Sequence, residues 1–313
     1  MATSATTSSP GITKRHIQIA LGLLWLLDGA LQLQHQMFSS AFANDVIAPA
    51  GQGQLGIVSG PIHLAVRILL THPAAFDAFF AAIQLLIGLL ILNRRTIRIG
   101  LIGSVVWGLI VWYFGEGLGG LLTWQTTLLM GAPGAALLYS IISLAIMPDK
   151  DKPKAASQPA YWLPLAWAIL WIGGAVLQLL PGQNTTAALS SMISGMTGGA
   201  PGWLASLQNH AARWLGSRNF HVIIFLAGLQ ALIGLLVLFP GQLRKLAIAA
   251  GIILSLIFWF VGQGLGTYYS GLATDPNTAP LFILMAVAIL GSTPLKFKQL
   301  CHTAAHDLEK LMT

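Results

Sequence analysis

Eight apolar runs dominate the chain, and they limit what it can fold into. A bilayer core of about 30 Å is crossed by about 20 apolar residues in helical form. The runs lie at 17–36, 74–92, 99–122, 133–147, 161–180, 220–239, 246–267 and 280–292. The fourth and eighth are short for a full crossing. The sequence therefore predicts an all-α integral membrane protein with eight transmembrane helices.

Charged residues are scarce: 16 Lys and Arg and 9 Asp and Glu in 313 residues, with a mean hydropathy of +0.74. Soluble domains carry about 25% charged residues, so an ordinary soluble enzyme, a disordered chain and a secreted disulfide scaffold are all excluded. The formal net charge of +7 first suggests nucleic acid.

The placement of the basic residues argues for a lipid bilayer as the partner, and against nucleic acid. They form short clusters at every second loop: Lys14-Arg15, Arg94-Arg95, Lys150 to Lys154, Arg244-Lys245 and Lys296 to Lys298. This is the positive-inside pattern. It predicts that both termini are cytoplasmic and that the long loops 37–73 and 181–219 lie on the outer face.

The chain contains two copies of one unit. Ala81 to Leu92 matches Ala227 to Leu238 at a shift of 146, with 8 of 12 residues identical. Trp112 to Gly119 matches Trp259 to Gly266 at a shift of 147, and Pro133 then matches Pro280. Because each copy holds four spans, the copies should lie the same way up, as parallel repeats.

This duplication divides the chain into five parts. A disordered cytoplasmic N-terminus (1–16) precedes the first four-helix repeat (17–147), and a cytoplasmic linker (148–160) leads to the second repeat (161–292). Residues 293–313 should form a cytoplasmic amphipathic tail, in which Cys301 is inert. Both long outer loops should carry interfacial helices. Arg67 and Arg213 occupy equivalent places there, which keeps a pairing role open.

Two acidic residues stand out within the predicted spans. Asp28 lies about 16 Å into the first run, at 1.5 Å per residue, and Glu116 lies near the outer end of the third run among glycines. Carboxylates inside a bilayer are costly and favour a functional site. Asp28 is expected to depend on Gln32, Gln84 or water, and Arg67 is the expected cation for Glu116. The purely structural alternatives are a helix-packing motif at Glu116 and a protonated hydrogen-bond donor at Asp28.

The remaining candidate binding residues are glutamines and tryptophans. Trp25 and Gln32 share the Asp28 face. Gln84 recurs as Gln230 and Gln32 recurs as Gln178 at equivalent places in the two copies, and Gln263 is a further candidate. Such glutamines commonly form interhelical hydrogen bonds. We expect the helices that carry Trp112 and Trp259 to meet between the halves. The positions opposite Asp28 and Glu116 are Gly174 and Gln263, so proton or cation chemistry should belong to the first half.

No sequence motif indicates a cofactor or a catalytic residue. The sequence has no signature of haem, retinal, an iron–sulfur cluster or a metal site, and a quinone remains possible. Whether the chain is an enzyme stays open.

Each half resembles the DoxX-like family of four-helix bacterial membrane proteins. The resemblance rests on Gly22 to Trp25, on Gln84 to Leu90, and on Arg95 with Arg98 to Gly100. The segment Gly115 to Gly120 also resembles a group of uncharacterised bacterial membrane proteins. Membership would imply a bacterial inner membrane and, for some members, quinone-linked redox roles.

Three classes of function follow. The first is a protein that binds or transports a small solute or protons through a polar site in the first repeat. The second is a membrane subunit or quinone-site partner of an oxidoreductase, with an apolar slot lined by Trp25, Trp112 or Trp259. The third is a structural or assembly subunit of a larger membrane complex, without chemistry.

Overall fold

The structure, a computed structural model, describes residues 12–148 and 158–292, and every regular element there is helical. The α-helices are α1 (Lys14–Leu31), α2 (Gly56–Leu69), α3 (Pro73–Leu92), α4 (Ile97–Phe114), α5 (Ala135–Ala145), α6 (Leu163–Leu179), α7 (Thr186–Gly195), α8 (Gly202–Gly216), α9 (His221–Leu236), α10 (Gln242–Val261) and α11 (Thr278–Leu290). The predicted all-α class is confirmed.

Helix length separates the apolar helices into two groups. Three segments are long and apolar enough to cross a membrane: Pro73–Leu92, Ile97–Phe114 and Gln242–Ser270. A fourth would be the pair α8 and α9, if two helices bent by 112° form one span. Each of the eight predicted runs contains an α-helix, but α5, α6 and α11 are shorter than these three segments.

The first half (residues 12–148) and the second half (residues 158–292) pair their helices in the same order. α1 packs on α3 and α4 on α5, just as α6 packs on α9 and α10 on α11. The halves meet where α11 contacts α5 and α1. α4 and α10 have few or no contacts, so the expected meeting of the Trp112 and Trp259 helices is wrong. The short helices α5 and α11 form the seam instead.

Basic side chains bind the C-terminal ends of neighbouring helices. Lys14 Nζ donates to the Met147 carbonyl at 2.9 Å, just beyond α5. Arg15 donates to the carbonyls of Ile91 and Leu92 at the end of α3. Arg244 Nε donates to the Val237 carbonyl at 2.9 Å, after α9. Cations suit these positions because the last carbonyls of a helix carry partial negative charge. The basic clusters thus contribute to packing.

Several predicted boundaries change. Residues 14–16 belong to α1 rather than to a disordered terminus, where the Thr13 N–H donates to His16 Nδ1 at 3.3 Å. Residues 1–11, most of the linker (149–157) and the tail (293–313) lie outside the described residues, as do the predictions made for them.

The segment between α1 and α3 has its own small core. Ile62 and Val58 of α2 are buried against Met37, Phe42 and Ile47. The opposite face of α2 is exposed and includes Arg67. In the second half, α7 packs on α8, and Arg213 of α8 is exposed.

Candidate functional site

A partly open cavity of about 350 Å³, here named the lateral cavity, lies in the first half. Its wall is apolar and comes mainly from α2, α3 and α4, including Phe79, Phe80 and Trp107. Five polar side chains line it as well: Gln32, Gln84, Glu116, Thr274 and Asp275. The volume falls within the usual range for ligand pockets, about 300–1,000 Å³, and the mixture of apolar walls with a few polar groups is typical of them.

Glu116 reaches the cavity because the chain leaves helical geometry just before it. α4 ends at Phe114, eight residues short of the predicted run, and Leu118, Gly119 and Gly120 all adopt left-handed backbone angles. The Glu116 carboxylate then accepts the Ala136 N–H at 3.1 and 3.3 Å. Ala136 lies in the first turn of α5, whose free N–H groups favour a negative charge.

The second half repeats this arrangement with an amide. Leu265, Gly266 and Thr267 are left-handed after α10, and Gln263 Oε1 accepts the Ala279 N–H at 3.1 Å in the first turn of α11. Gln263 Nε2 donates to the Leu128 carbonyl at 3.2 Å and to Thr278 Oγ1 at 3.0 Å. Every polar group of Gln263 is therefore used in holding the helix.

The tryptophans before each break show which prolines correspond. Trp112 Nε1 donates to the Pro133 carbonyl at 2.7 Å, and Trp259 Nε1 donates to the Pro276 carbonyl at 2.9 Å. Pro276 is thus the structural counterpart of Pro133, and the predicted match to Pro280 is wrong. The cause is a connecting loop four residues shorter in the second half, with separations of 21 and 17 residues.

Asp275 comes from the second half but lines the first-half cavity. Its carboxylate accepts Thr274 Oγ1 and the Asn277 N–H, both at 2.7 Å. The preceding loop is held against the first half by Gln34 Nε2, which donates to the Ala273 carbonyl at 3.1 Å. The sequence assigned Asp275 to an outer turn, and only the fold brings it to the site.

Glu116 and Asp275 also border a second, more polar cavity of about 270 Å³, together with Asn277 and Gly131. Both carboxyls lie outside the membrane-spanning helices. Burial raises the pKa of Glu116 to about 8, the charge of Asp275 adds to this, and the Ala136 N–H opposes it. Burial also raises the pKa of Asp275. Glu116 is therefore mostly protonated at pH 7 and exchanges its proton near neutral pH.

Asp28 lies deeper and lines neither cavity. It is 2% exposed, and its Oδ1 has no hydrogen-bond partner among the described residues. The Tyr139 phenol faces it, and the charges of Asp275 and Glu116 act on it. Gln32 binds another acid, and no hydrogen bond joins Gln84 to Asp28, so neither glutamine is the expected partner of Asp28. The third alternative, water, stays a prediction.

The acid that Gln32 binds is Asp77 of α3. Gln32 Nε2 donates to Asp77 Oδ1 at 2.6 Å, and both side chains are buried. Asp77 lies inside the run 74–92, so its acidity alone was a sufficient signal, and the sequence-based reasoning overlooked it. Gln32 Oε1 and Gln84 Oε1 have no hydrogen-bond partner within residues 12–148 and 158–292. Both glutamines line the cavity with an acceptor unused.

The other predicted site residues lie elsewhere. Trp25 Nε1 donates to Ser104 Oγ at 2.8 Å, and its ring packs 4.5 Å from that of Tyr139. Gln178 Nε2 donates to the Gln183 carbonyl at 2.9 Å, and Gln230 is fully buried in the second half. Trp107, not Trp25, Trp112 or Trp259, provides the indole of the cavity wall.

Arg67 and Arg213 do not contribute a cation to the site. Arg67 is exposed on α2 and is not among the groups that act on Glu116. Arg213 is exposed on α8, so the two arginines are surface residues of separate outer helices. In the described part of the chain, no three His, Cys, Asp or Glu side chains are grouped to hold a metal ion.

No protein-family model matches this chain, and no curated protein or solved structure matches it either. The resemblance to the DoxX-like family stays a prediction. The site must therefore be interpreted from its own geometry.

Proposed function

We propose that this chain is an integral membrane protein that takes a small, mainly apolar molecule from the bilayer into the lateral cavity and moves it, or a proton, past Glu116 and Asp275. The observation that carries the proposal is the shared boundary of the two cavities. One is mainly apolar, the other is more polar, and the same two carboxyls line both. A proton-exchanging group between an apolar and a polar compartment suits coupled transport.

The proposed architecture is an eight-span protein of two parallel repeats with both termini cytoplasmic. Matching helix pairs and matching left-handed breaks support it. Short helices such as α5 and α11 would cross where the bilayer is locally thin or where neighbouring helices partly shield them. The DoxX-like resemblance would place the protein in a bacterial inner membrane.

A pair of matched variants tests the cavity. Ile110 on α4 lines it and is 42% exposed, and Ile257 occupies the corresponding position on α10 at 49% exposed. We expect Ile110→Trp to fill the cavity and to remove small molecules that copurify with the wild type in native mass spectrometry. Ile257→Trp should retain them. Equal retention by both variants would rule out the cavity as the binding site.

Transport is tested separately in proteoliposomes that contain a pH-sensitive dye. Glu116→Gln should abolish proton movement while leaving the protein folded, because Gln263 shows that an amide can cap the equivalent helix. Proton flux that is identical in wild type and Glu116→Gln would contradict the role of this carboxyl.

The oxidoreductase-partner function is the second candidate, since a mainly apolar, partly open cavity also suits a quinone. A quinone found among the copurifying molecules would favour it. A wild-type protein that retains no small molecule and moves no proton would instead favour the structural subunit.

A further inference from the structure

The polar side chains of the lateral cavity are mainly hydrogen-bond acceptors; the exceptions are the Thr274 hydroxyl, which binds Asp275, and the Trp107 indole N–H, which has no partner among the described residues. Gln32 and Gln84 are 1% and 7% exposed, and the Oε1 of each has no hydrogen-bond partner among the described side chains. A buried acceptor without a donor costs about 1–3 kcal/mol, so two such groups beside one cavity favour a ligand that supplies donors. For Gln32, the assignment of oxygen and nitrogen follows its hydrogen bond to Asp77, because a carboxylate requires a donor.

The charges at the cavity have one sign. Glu116 and Asp275 line it, and no Lys, Arg or His is among its described lining residues. A cation is therefore favoured at the polar end, and an anion is disfavoured. Asp275 is the charged group that acts on Glu116, and both Asp275 and Glu116 act on Asp28, with Tyr139 and Tyr268 also close to Asp28.

The walls fit the remainder of such a ligand. Phe80 and Trp107 pack with their ring centroids 5.4 Å apart, and Phe79 lies 6.1 Å from Phe80. These rings provide apolar surface for a hydrocarbon body, and their faces attract a cation that passes them.

We propose that the ligand of this cavity carries a primary ammonium group on an apolar body, with the ammonium between Glu116, Asp275 and the free oxygens of Gln32 and Gln84. This inference rests on the proposed function and names its substrate class. An ammonium supplies three donors and one positive charge, which together match the unused acceptors and the carboxyls. A neutral alcohol supplies one donor and no charge.

Binding should be coupled to proton release. Because the pKa of Glu116 is about 8, its carboxyl must lose a proton to pair with the ammonium. The ionised fraction of such a group rises about eightfold between pH 6.5 and 7.5, whereas an alkylamine stays charged throughout. The Kd of the amine should therefore fall about eightfold over this range, and Glu116→Gln should remove the dependence.

The probes are dodecylamine and the neutral 1-dodecanol, titrated by native mass spectrometry against the full-length protein in a non-ionic detergent. We expect dodecylamine to bind at one site and dodecanol to bind at least about tenfold more weakly. Glu116→Gln, and independently Asp275→Asn, should each weaken dodecylamine binding by about tenfold. Asp45→Asn removes an exposed acid from the same half and is the matched control.

The ammonium could belong to a free amine or to a lipid headgroup, and nanodiscs distinguish these sources. Dodecylamine binding blocked by phosphatidylethanolamine, but not by phosphatidylcholine, would identify the headgroup. Binding that survives in both lipids would identify a free amine. Either result supports the ammonium site.

Two results would overturn the inference. One is dodecanol binding as tightly as dodecylamine. The other is dodecylamine binding that neither carboxyl variant weakens. If Ile110→Trp still removes the bound probe, the cavity remains the binding site and only the proposed ammonium ligand is rejected. If Ile110→Trp leaves binding intact, the proposed function fails as well.

Discussion

The two halves share a backbone plan but differ at the same three positions. The first half has Asp28, Glu116 and Tyr139, where the second half has Gly174, Gln263 and Phe282. The ring centroid of Tyr139 lies 4.5 Å from that of Trp25. In the second half, the ring centroid of Phe282 lies 5.6 Å from that of Trp171. The first half thus has two carboxyls and a phenol where the second half has a glycine, an amide and a phenyl ring.

The difference depends on loops that each half sends to the other. Leu128, from the first half, lies directly over Gly174 and accepts a hydrogen bond from Gln263. The second half sends Thr274 and Asp275 to the cavity of the first. Leucine fills one interior and a carboxyl enters the other. Two sets of helices that pair in the same order can therefore differ in their interiors through a few side chains.

Alanine substitutions in the left-handed segments after α4 and α10 should have the largest effect on stability. Gly119 has φ +63°, and a Cβ there would overlap the Pro133 carbonyl oxygen. At Gly266 a Cβ would lie 2.9 Å from the Asp275 carbonyl oxygen. We expect Gly119→Ala to lower the free energy of unfolding by about 3 kcal/mol or more, and Gly266→Ala by about 2 kcal/mol. Unfolding by SDS in mixed micelles measures both, and a larger loss at Gly266 would contradict the structure.

Because Leu128 packs against Gly174, the effects of substitutions at these two positions on stability should be coupled. A Cβ at Gly174 would overlap the Leu128 side chain, so Gly174→Ala should cost about 2 kcal/mol by overpacking. In the Leu128→Ala background the same change should cost at least about 1 kcal/mol less, because the space is vacated. A double-mutant cycle in the same unfolding assay measures this. Strictly additive losses would show that Leu128 does not occupy the position opposite Asp28.

Buried serines should distinguish the halves by a smaller amount. Ser104 Oγ accepts from Trp25 Nε1 at 2.8 Å and from Ser143 Oγ at 2.7 Å. Ser255 is also buried, on α10, but its hydroxyl has no partner among the described residues. Ser104→Ala should lower stability by about 1 kcal/mol, and Ser255→Ala should leave it unchanged or slightly raised. Thermal unfolding of the purified variants measures both, and equal shifts would refute the difference.

Sequence patterns predicted the helices well and the site only in part. All eight apolar runs contain a helix, because continuous hydrophobicity over many residues is a local property. Glu116 and two glutamines, Gln32 and Gln84, do line the cavity. Asp275 was missed because it is 159 residues from Glu116 in the chain, and no local pattern joins them. Trp107 was missed because one aromatic residue in an apolar helix carries no signal of its own.

The sequence alone determined the all-helical class, the eight apolar helices and the acidity of the first half. These follow from composition and spacing, which act within one segment. Only the tertiary structure decided which distant side chains line each interior. The left-handed segments after α4 and α10 set the course of the loops that follow them. One of these loops packs Leu128 against Gly174 of the second half, and the other places Asp275 at the cavity of the first half. Packing between distant segments sets these contacts, because each interior must be filled by side chains from the opposite half or left open.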